Sequence, residues 1–207
     1  VVISILTTIL TGLPLTVDGS SIFLSPTHIV SSTALGLLLT VTLFLGPVVQ
    51  LYLDWDKECI PDFGEILTWR NLIVAPLAEE YVFRGIQMRI LQQAGYSNLV
   101  AMMLPPCLFG IAHLHHVFTV GWAPVCFQLL YTSIFGNYAG YLFLRTNSLY
   151  SCLIAHAFCN FMGFPRIDLA LEHKHKTLLI TLYVVGLVTF ACILVPMTSE
   201  SLIGPYM

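Results

Sequence analysis

Four long segments of this chain contain no charged residue. Asp, Glu, Lys and Arg are absent from residues 19–53, 90–144, 146–165 and 177–199. About 20 mostly apolar residues are enough for a helix to cross the hydrocarbon core of a bilayer. Backbone polar groups in lipid must be hydrogen-bonded within the protein, which favours helices. The sequence therefore predicts an all-α fold, a polytopic membrane bundle of about 6–8 transmembrane helices.

The composition excludes a water-soluble domain and gives no sign of nucleic-acid binding. Only 9% of the 207 residues are charged, whereas soluble domains carry about 25%. The apolar runs are continuous rather than alternating, which argues against a transmembrane β-barrel. The net charge is −3 and no basic cluster occurs, so nucleic acid is not expected as a partner. We expect a single domain over residues 1–207, surrounded by membrane lipids.

Hydropathy and helix-breaking residues give the expected helices. Residues 1–17 are interpreted as a truncated first membrane helix rather than a signal peptide, because a basic n-region is absent. Six later helices are expected over residues 28–53, 70–93, 98–113, 120–144, 148–161 and 177–195. The helix over residues 98–113 contains Pro105 and Pro106, which should kink or break it.

The loops between these helices predict an orientation. If the helices pass back and forth through the membrane, loops 54–69, 114–119 and 164–176 lie on the same side. That side carries more Lys and Arg than the opposite side, and loops rich in Lys and Arg remain in the cytosol. The sequence therefore predicts a multi-pass protein with these three loops in the cytosol.

The helix expected over residues 70–93 carries most of the charge at membrane depth. Ionisable residues at this depth are costly and mark functional sites. Glu80 and Arg84 are four residues apart, so we expect them to face each other as a structural ion pair. Glu79 points away from that pair. A carboxylate in apolar surroundings without a cationic partner suits a general base or acid near neutral pH.

Two further helices supply polar groups that could join Glu79. His113 ends the third helix, and His156 and Asn160 lie four residues apart on the fifth. Residues with this spacing share a helix face, which suits a pair of hydrogen-bond donors for an oxyanion. Glu79 lies roughly 13 Å from the cytosolic end of its helix, and His156 has a similar depth. We expect Glu79, His113, His156 and Asn160 to meet in one cytosol-facing cavity.

Three other interpretations of these polar residues stay open. Glu and His side chains can bind zinc, with His115 and His116 as additional candidates, although the HExxH motif is absent. Cys152 and Cys159 flank His156 and could form a Cys–His dyad, although small buried cysteines commonly serve only in packing. A transporter or proton relay would also use such groups, although inverted repeats are not evident.

Three short motifs follow one another along the chain: EExxxR (Glu79, Glu80, Arg84), FxxxH (Phe109, His113) and HxxxN (His156, Asn160). Together, in this order, they resemble the membrane CAAX-protease and bacteriocin-processing family. The longer strings RNLIVAPLAEEYVFRG and HAFCNFMGFP resemble the eukaryotic, Ras-converting CAAX endopeptidases within it. The resemblance covers about residues 69–200, the expected protease core.

The resemblance implies a hydrolase of the endoplasmic-reticulum membrane whose active site opens to the cytosol. Such an endopeptidase removes the last three residues, aaX, from prenylated CAAX proteins, Ras-type small GTPases among them. It implies metal-free catalysis without a cofactor, in which Glu79 activates the attacking water with help from His113. It also implies that His156 and Asn160 stabilise the oxyanion, and that Glu80 and Arg84 support the site.

Overall fold

A computed structural model describes residues 25–55, 61–112, 114 and 117–199. Every regular element in these ranges is a helix, which confirms the expected all-α class. Two expectations lie outside the described residues: the helix over residues 1–17 and the position of His113, together with its neighbours His115 and His116.

The segment expected as one helix over residues 28–53 forms two helices. Helix α1 spans Pro26–Leu43 and helix α2 spans Leu45–Leu53, with Phe44 between them. Pro47 has no N–H to donate to the carbonyl four residues earlier, and its ring crowds that carbonyl. The helix therefore breaks one turn before the proline.

Residues 66–93 form a continuous helix, α3, which begins one turn earlier than expected. It contains two π-helical segments, Arg70–Val74 and Tyr81–Met88, separated by the α-helical turns of Ala75–Glu80. In a π-helix each N–H bonds to the carbonyl five residues earlier instead of four, and such turns often occur at functional sites. Each π segment changes which residues share a face with those before it.

Helix α4 spans Asn98–Ala112, and the short helix α5 spans Val117–Val120. Pro105 and Pro106, where a kink or a break is expected, lie inside α4, and the helix continues through both of them without a break. Both prolines are buried. Tight packing by neighbouring helices allows a membrane helix to tolerate the missing backbone hydrogen bonds.

Helices α6, Trp122–Thr146, and α7, Leu149–Met162, are joined by a tight turn. Asn147 takes a left-handed conformation there, with φ of 49°, which asparagine tolerates better than most residues. Its side chain accepts a hydrogen bond from Arg89, at the end of α3. The turn therefore reverses the chain and fastens α6 and α7 to α3.

A buried polar cluster fixes the start of α7 against α1. The Nε2 atom of His28 lies 2.8 Å from the carbonyl oxygen of Thr146, and the Ser32 hydroxyl donates to the Ser148 hydroxyl at 2.8 Å. Buried polar groups with satisfied hydrogen bonds specify one packing arrangement. This cluster sets the position of the helix that carries His156.

Helices α8, Ile167–Glu172, and α9, Lys176–Met197, complete the described chain. Helix α8 occupies part of the segment expected as the loop over 164–176. In the described chain, α1 and α9 are long and apolar enough to cross a bilayer, with mean hydropathies of 1.3 and 2.7. Only 11% of the apolar window of α9 is buried inside the protein, so most of its apolar surface faces outward.

The apolar core lies where α7 packs between α1 and α6. Leu39, Leu142, Cys152 and Ala155 are fully buried there, and Met88 of α3 closes the cluster. Helix α4 packs along α6, and α9 packs along α1 and α2. This arrangement leaves a space beside the core, between α3, α4, α6 and α7.

Candidate active site

A cavity of about 410 Å³ lies between α3, α4, α6 and α7. Apolar residues form part of its wall, including Pro106 and Phe135. Ligand sites are typically concave, mostly apolar and supplied with a few convergent polar groups. The polar residues that line it include Arg70, Asn71, Glu79, Gln128, His156 and Asn160.

One face of α3 supplies a stripe of residues to this cavity. Asn71, Ala75, Glu79 and Phe83 all line it and recur every four residues, the spacing that keeps side chains on one helix face. About a third of the Glu79 side chain, 35%, is exposed. Glu79 is therefore the carboxylate that a molecule in the cavity would meet.

The adjacent carboxylate, Glu80, is buried behind the cavity wall and paired with Arg84. The Arg84 Nη1 atom lies 3.0 Å from Oε2 and 3.1 Å from Oε1 of Glu80, and the Glu80 side chain is 1% exposed. Arg84 Nη2 also donates to the Gly136 carbonyl at 2.9 Å. The ion pair expected from the spacing of Glu80 and Arg84 is thus present, and it ties α3 to α6.

His156 lies between the two carboxylates. Its Nδ1 atom is 2.7 Å from Glu80 Oε1, and its Nε2 atom is 3.7 Å from Glu79 Oε2. The Phe135 ring packs edge-on against the imidazole, with 4.8 Å between ring centroids. A hydrogen bond to one ring nitrogen fixes the orientation of the other. Glu80 and Phe135 therefore hold His156 with Nε2 on the Glu79 side.

Asn160 lines the same cavity one helical turn from His156. Its Nδ2 atom donates to the carbonyl oxygen of Asn71 at 2.8 Å. Pro76, on the next turn of α3, has no N–H, so the π-helical turn before it lacks one backbone donor. The Asn160 amide compensates for this and retains a second N–H. The two residues share a face as expected, but their contacts go to different turns of α3.

The structure brings together five of the six residues singled out from the sequence. Glu79, Arg84, His156 and Asn160 line the cavity, and Glu80 is buried behind its wall and paired with Arg84. His113 lies outside the described residues. Within the described ranges, there is no cluster of three or more His, Cys, Asp or Glu side chains arranged to hold a metal ion.

The cysteine alternative receives no geometric support at Cys152. This residue is fully buried, and its thiol donates to the Ala139 carbonyl at 3.2 Å rather than facing His156. Cys159 lies on the cavity wall. Cys152 therefore acts as a packing residue between α7 and α6.

Several cavity residues were missed by sequence reasoning. Gln128 and Phe135 of α6 have no charge or motif to mark them. Gly136 allows close packing, because a Cβ atom there would lie 2.6 Å from the Pro106 Cβ. The spacing of Gly136 and Gly140 was an available signal, since small residues four apart let membrane helices approach closely.

Comparison with known proteins agrees with the motifs. Residues 63–162 match the family model described as Type II CAAX prenyl endopeptidase Rce1-like. CAAX prenyl protease 2 of Homo sapiens is 36% identical over 194 residues, 82% of this chain and 58% of the human protein. The protein of the same name from Arabidopsis thaliana is 40% identical over 146 residues, 66% of this chain and 46% of that protein.

A third relative extends the match to fungi. The probable CAAX prenyl protease 2 of Schizosaccharomyces pombe is 33% identical over 174 residues, 74% of this chain and 63% of the yeast protein. The chain spans roughly half to three fifths of the length of these relatives. No solved structure matches it significantly. The matched segment contains Glu79, Glu80, Arg84, His156 and Asn160, and the chain belongs to the type II CAAX prenyl endopeptidase family.

Proposed function

We propose that this chain is a membrane endopeptidase that removes the aaX tripeptide from prenylated CAAX proteins. The observation that carries the proposal is the cavity, in which Glu79 is exposed beside His156 while a buried Glu80–Arg84 pair holds that histidine in place. Carboxylates and histidines held at such distances are the usual groups of general acid–base catalysis. Membership of the family supplies the substrate class.

The proposed reaction is hydrolysis of the peptide bond after the prenylated cysteine. Glu79 accepts a proton from a water molecule, and the water oxygen bonds to the scissile carbonyl carbon. The tetrahedral intermediate then collapses, the C–N bond breaks, and the proton held by Glu79 passes to the leaving amine. The resemblance assigns His113 to assist the water.

Oxyanion stabilisation is the proposed role of His156 and Asn160. The Nε2 atom of His156 is turned toward Glu79. It donates when the imidazole carries a proton on both nitrogens, because the Nδ1 proton is directed at the Glu80 carboxylate. The Asn160 amide has a second N–H beyond the one donated to Asn71. Donors fixed in place before the reaction stabilise developing charge without reorganising. Glu80 and Arg84 act as positioning residues, because Glu80 holds His156 while Arg84 is engaged with Glu80 and with the Gly136 carbonyl of α6.

The proposed setting is a multi-pass bundle of the endoplasmic-reticulum membrane, forming one protease domain of about 6–8 spanning helices. Within the part of the chain that the structure describes, α1 and α9 are long and apolar enough to cross a bilayer, and α4 and α7 provide shorter apolar helices. Apolar side chains also face outward on α4 and α6, including Leu104, Leu108, Leu130 and Ile134. Contiguous exposed apolar surface is unfavourable in water and suits contact with lipid.

The proposed orientation opens the active site to the cytosol, where prenylated Ras-type GTPases would present their C-termini. The loops richer in Lys and Arg lie on that side. An isoprenoid chain would lie against apolar helices, since burial contributes about 0.8 kcal/mol per CH₂. Part of that gain is offset, because a lipidated peptide already partitions into the membrane.

The test is release of the tripeptide from a farnesylated CAAX peptide by purified protein in detergent or liposomes. Glu79→Gln should lower turnover by about 10²-fold or more, because the amide cannot take a proton from water. Glu172→Gln is the matched control, since Glu172 is exposed on α8 outside the cavity. Near-normal turnover by folded Glu79→Gln protein would refute the assignment of Glu79 as the base.

A second comparison tests the substrate class. The unprenylated peptide should be cut with an efficiency lower by about a hundredfold or more, because it lacks the apolar burial of the lipid. Equal cleavage of both peptides would indicate a broader intramembrane protease. Cleavage of neither, with solute flux into liposomes that Glu79→Gln abolishes, would indicate a transporter.

A further inference from the structure

The candidate active site contains a cation that the proposed chemistry does not use. Arg70 lines the cavity from the beginning of the first π-helical segment of α3. The other arginine on the cavity wall, Arg84, is engaged with Glu80 and with the Gly136 carbonyl. Arg70 forms no ion pair with any carboxylate in the described part of the chain. Among the described residues, the Arg70 guanidinium is therefore the cation that lines the cavity and has no carboxylate partner.

The π-helical turn brings Arg70 to the face that carries Glu79. The N–H of Ala75 bonds to the Arg70 carbonyl, five residues earlier, so these two residues are stacked one turn apart. Ala75 lies in the cavity stripe, four residues before Glu79. In a regular α-helix, residues five apart point in different directions. The π turn thus adds Arg70 to the beginning of the stripe that carries the proposed base, Glu79.

The distance along this stripe matches the length of the leaving tripeptide. Glu79 follows Arg70 by nine positions, which corresponds to roughly 13 Å along the axis of an α-helix. Three residues of extended peptide span about 10 Å, and the flexible arginine side chain can cover the remainder. Ala75 lies between Arg70 and Glu79 and carries only a methyl group, which leaves room for a peptide along the stripe.

We infer that Arg70 binds the free α-carboxylate at the C-terminus of the substrate. This inference rests on the proposed peptidase function and adds to it a residue that determines where the chain is cut. With the scissile carbonyl beside Glu79 and His156, the third residue beyond the cut places its carboxylate at Arg70. A guanidinium matches a carboxylate with two parallel hydrogen bonds. These two contacts, Arg70 with the carboxylate and the Glu79 site with the scissile carbonyl, would together place the cut three residues before the C-terminus.

The amide side chains that line the cavity can form hydrogen bonds with the backbone of a bound peptide. Asn71 and Asn160 line the cavity near Arg70, and Gln128 lines it from α6. Amide side chains both donate and accept hydrogen bonds, so they can pair with the peptide groups of aaX without selecting its side chains. Recognition of a free C-terminus, and of three residues beyond the cut, would then depend on the carboxylate contact alone.

The experiment compares two farnesylated CAAX peptides that differ only at the C-terminus, one a free acid and the other a carboxamide. The wild-type protein should cleave the acid about tenfold or more efficiently, the effect expected from one charge-assisted contact, with the difference mainly in KM. Arg70→Gln should cleave the two peptides about equally. Arg70→Lys should keep part of the preference, because it retains the charge but not the planar guanidinium.

The matched control is Arg166→Gln. Arg166 is 60% exposed, pairs with Asp168 and lies outside this cavity, so its loss should leave the ratio of acid to amide cleavage unchanged. All assays are run in neutral detergent and again in vesicles with anionic lipid. If Arg70→Gln lowers cleavage of acid and amide by the same factor, Arg70 does not recognise the carboxylate, and binding of a lipid headgroup is favoured.

The outcomes separate this inference from the proposed function. Wild-type protein that cuts acid and amide equally would refute the carboxylate contact while leaving the peptidase function intact. An unchanged preference in Arg70→Gln would refute the role of Arg70 in particular. Cleavage of neither peptide would overturn the proposed function and, with it, the inference.

Discussion

The buried pair of Glu80 and Arg84 gives a prediction whose size follows from its contacts. Arg84→Met keeps a side chain of similar length but removes the charge from a site that is 5% exposed. Glu80 then remains as a buried carboxylate without its cation, and breaking a buried pair costs about 3–5 kcal/mol. The Gly136 carbonyl also loses its donor. The hydrogen bond from His156 to Glu80 offsets part of the loss.

The expected result is a large fall in the thermal midpoint. For chains of 150–250 residues, each kcal/mol corresponds to about 2–4 °C, so a loss of about 3–5 kcal/mol predicts a decrease of about 6–20 °C. The measurement is a thermal scan of purified protein in one detergent, with peptide cleavage assayed in parallel. Activity should fall as well, because His156 loses its fixed orientation when Glu80 moves.

Two variants make this prediction specific. Arg166→Met removes an arginine from an exposed pair, and exposed pairs contribute little, so its thermal midpoint should equal that of the wild type. Adding Glu80→Gln to Arg84→Met removes the stranded charge and should recover most of the lost stability without recovering activity. A midpoint for Arg84→Met equal to that of Arg166→Met would refute the structural role of the pair. Lost activity at unchanged stability would instead assign Arg84 to the reacting groups.

Three further predictions concern packing and the alternative chemistries. Gly136→Ala should destabilise the protein by about 1–3 kcal/mol in thermal scans, because the added Cβ would lie 2.6 Å from Pro106. The control Gly85→Ala should be tolerated, because the nearest atom to its Cβ is 3.4 Å away. Equal thermal midpoints for the two variants would contradict the close packing at Gly136. Cys152→Ala should retain turnover, because the thiol faces Ala139; inactivity in a folded variant would revive a thiol mechanism. Strong chelators should leave turnover unchanged, whereas stoichiometric zinc lost together with activity, and restored by added metal, would favour a metalloprotease.

Local relations along one helix were predictable from the sequence. The pairing of Glu80 with Arg84 and the separation of Glu79 from that pair were predictable from α-helical spacing, in which residues four apart are neighbours. The pair forms even though Arg84 lies in the π-helical segment Tyr81–Met88. The shared face of His156 and Asn160 followed in the same way. The all-α class was predictable because charge-free runs of this length favour helices in lipid.

Proline effects were predictable only in part. The sequence predicts a kink or a break at Pro105 and Pro106, and the helix is not broken there, because α4 is held by packing against α6. A break occurs instead before Pro47, where none is expected. A proline removes a hydrogen bond at either site. Whether the helix continues depends on which neighbours support the turn, and those neighbours come from distant parts of the chain.

Relations between helices were decided by the tertiary structure. The sequence placed His156 with Asn160 as a donor pair, but only the packing of α7 against α3 put its imidazole between Glu79 and Glu80. The sequence by itself determined the all-α class, the apolar character of the helices and the residue types available for catalysis. The cavity, and the turn of Arg70 into it, depend on π-helical segments and on helix rotation. Neither leaves a periodic signal in the sequence, because both result from contacts between side chains far apart along it.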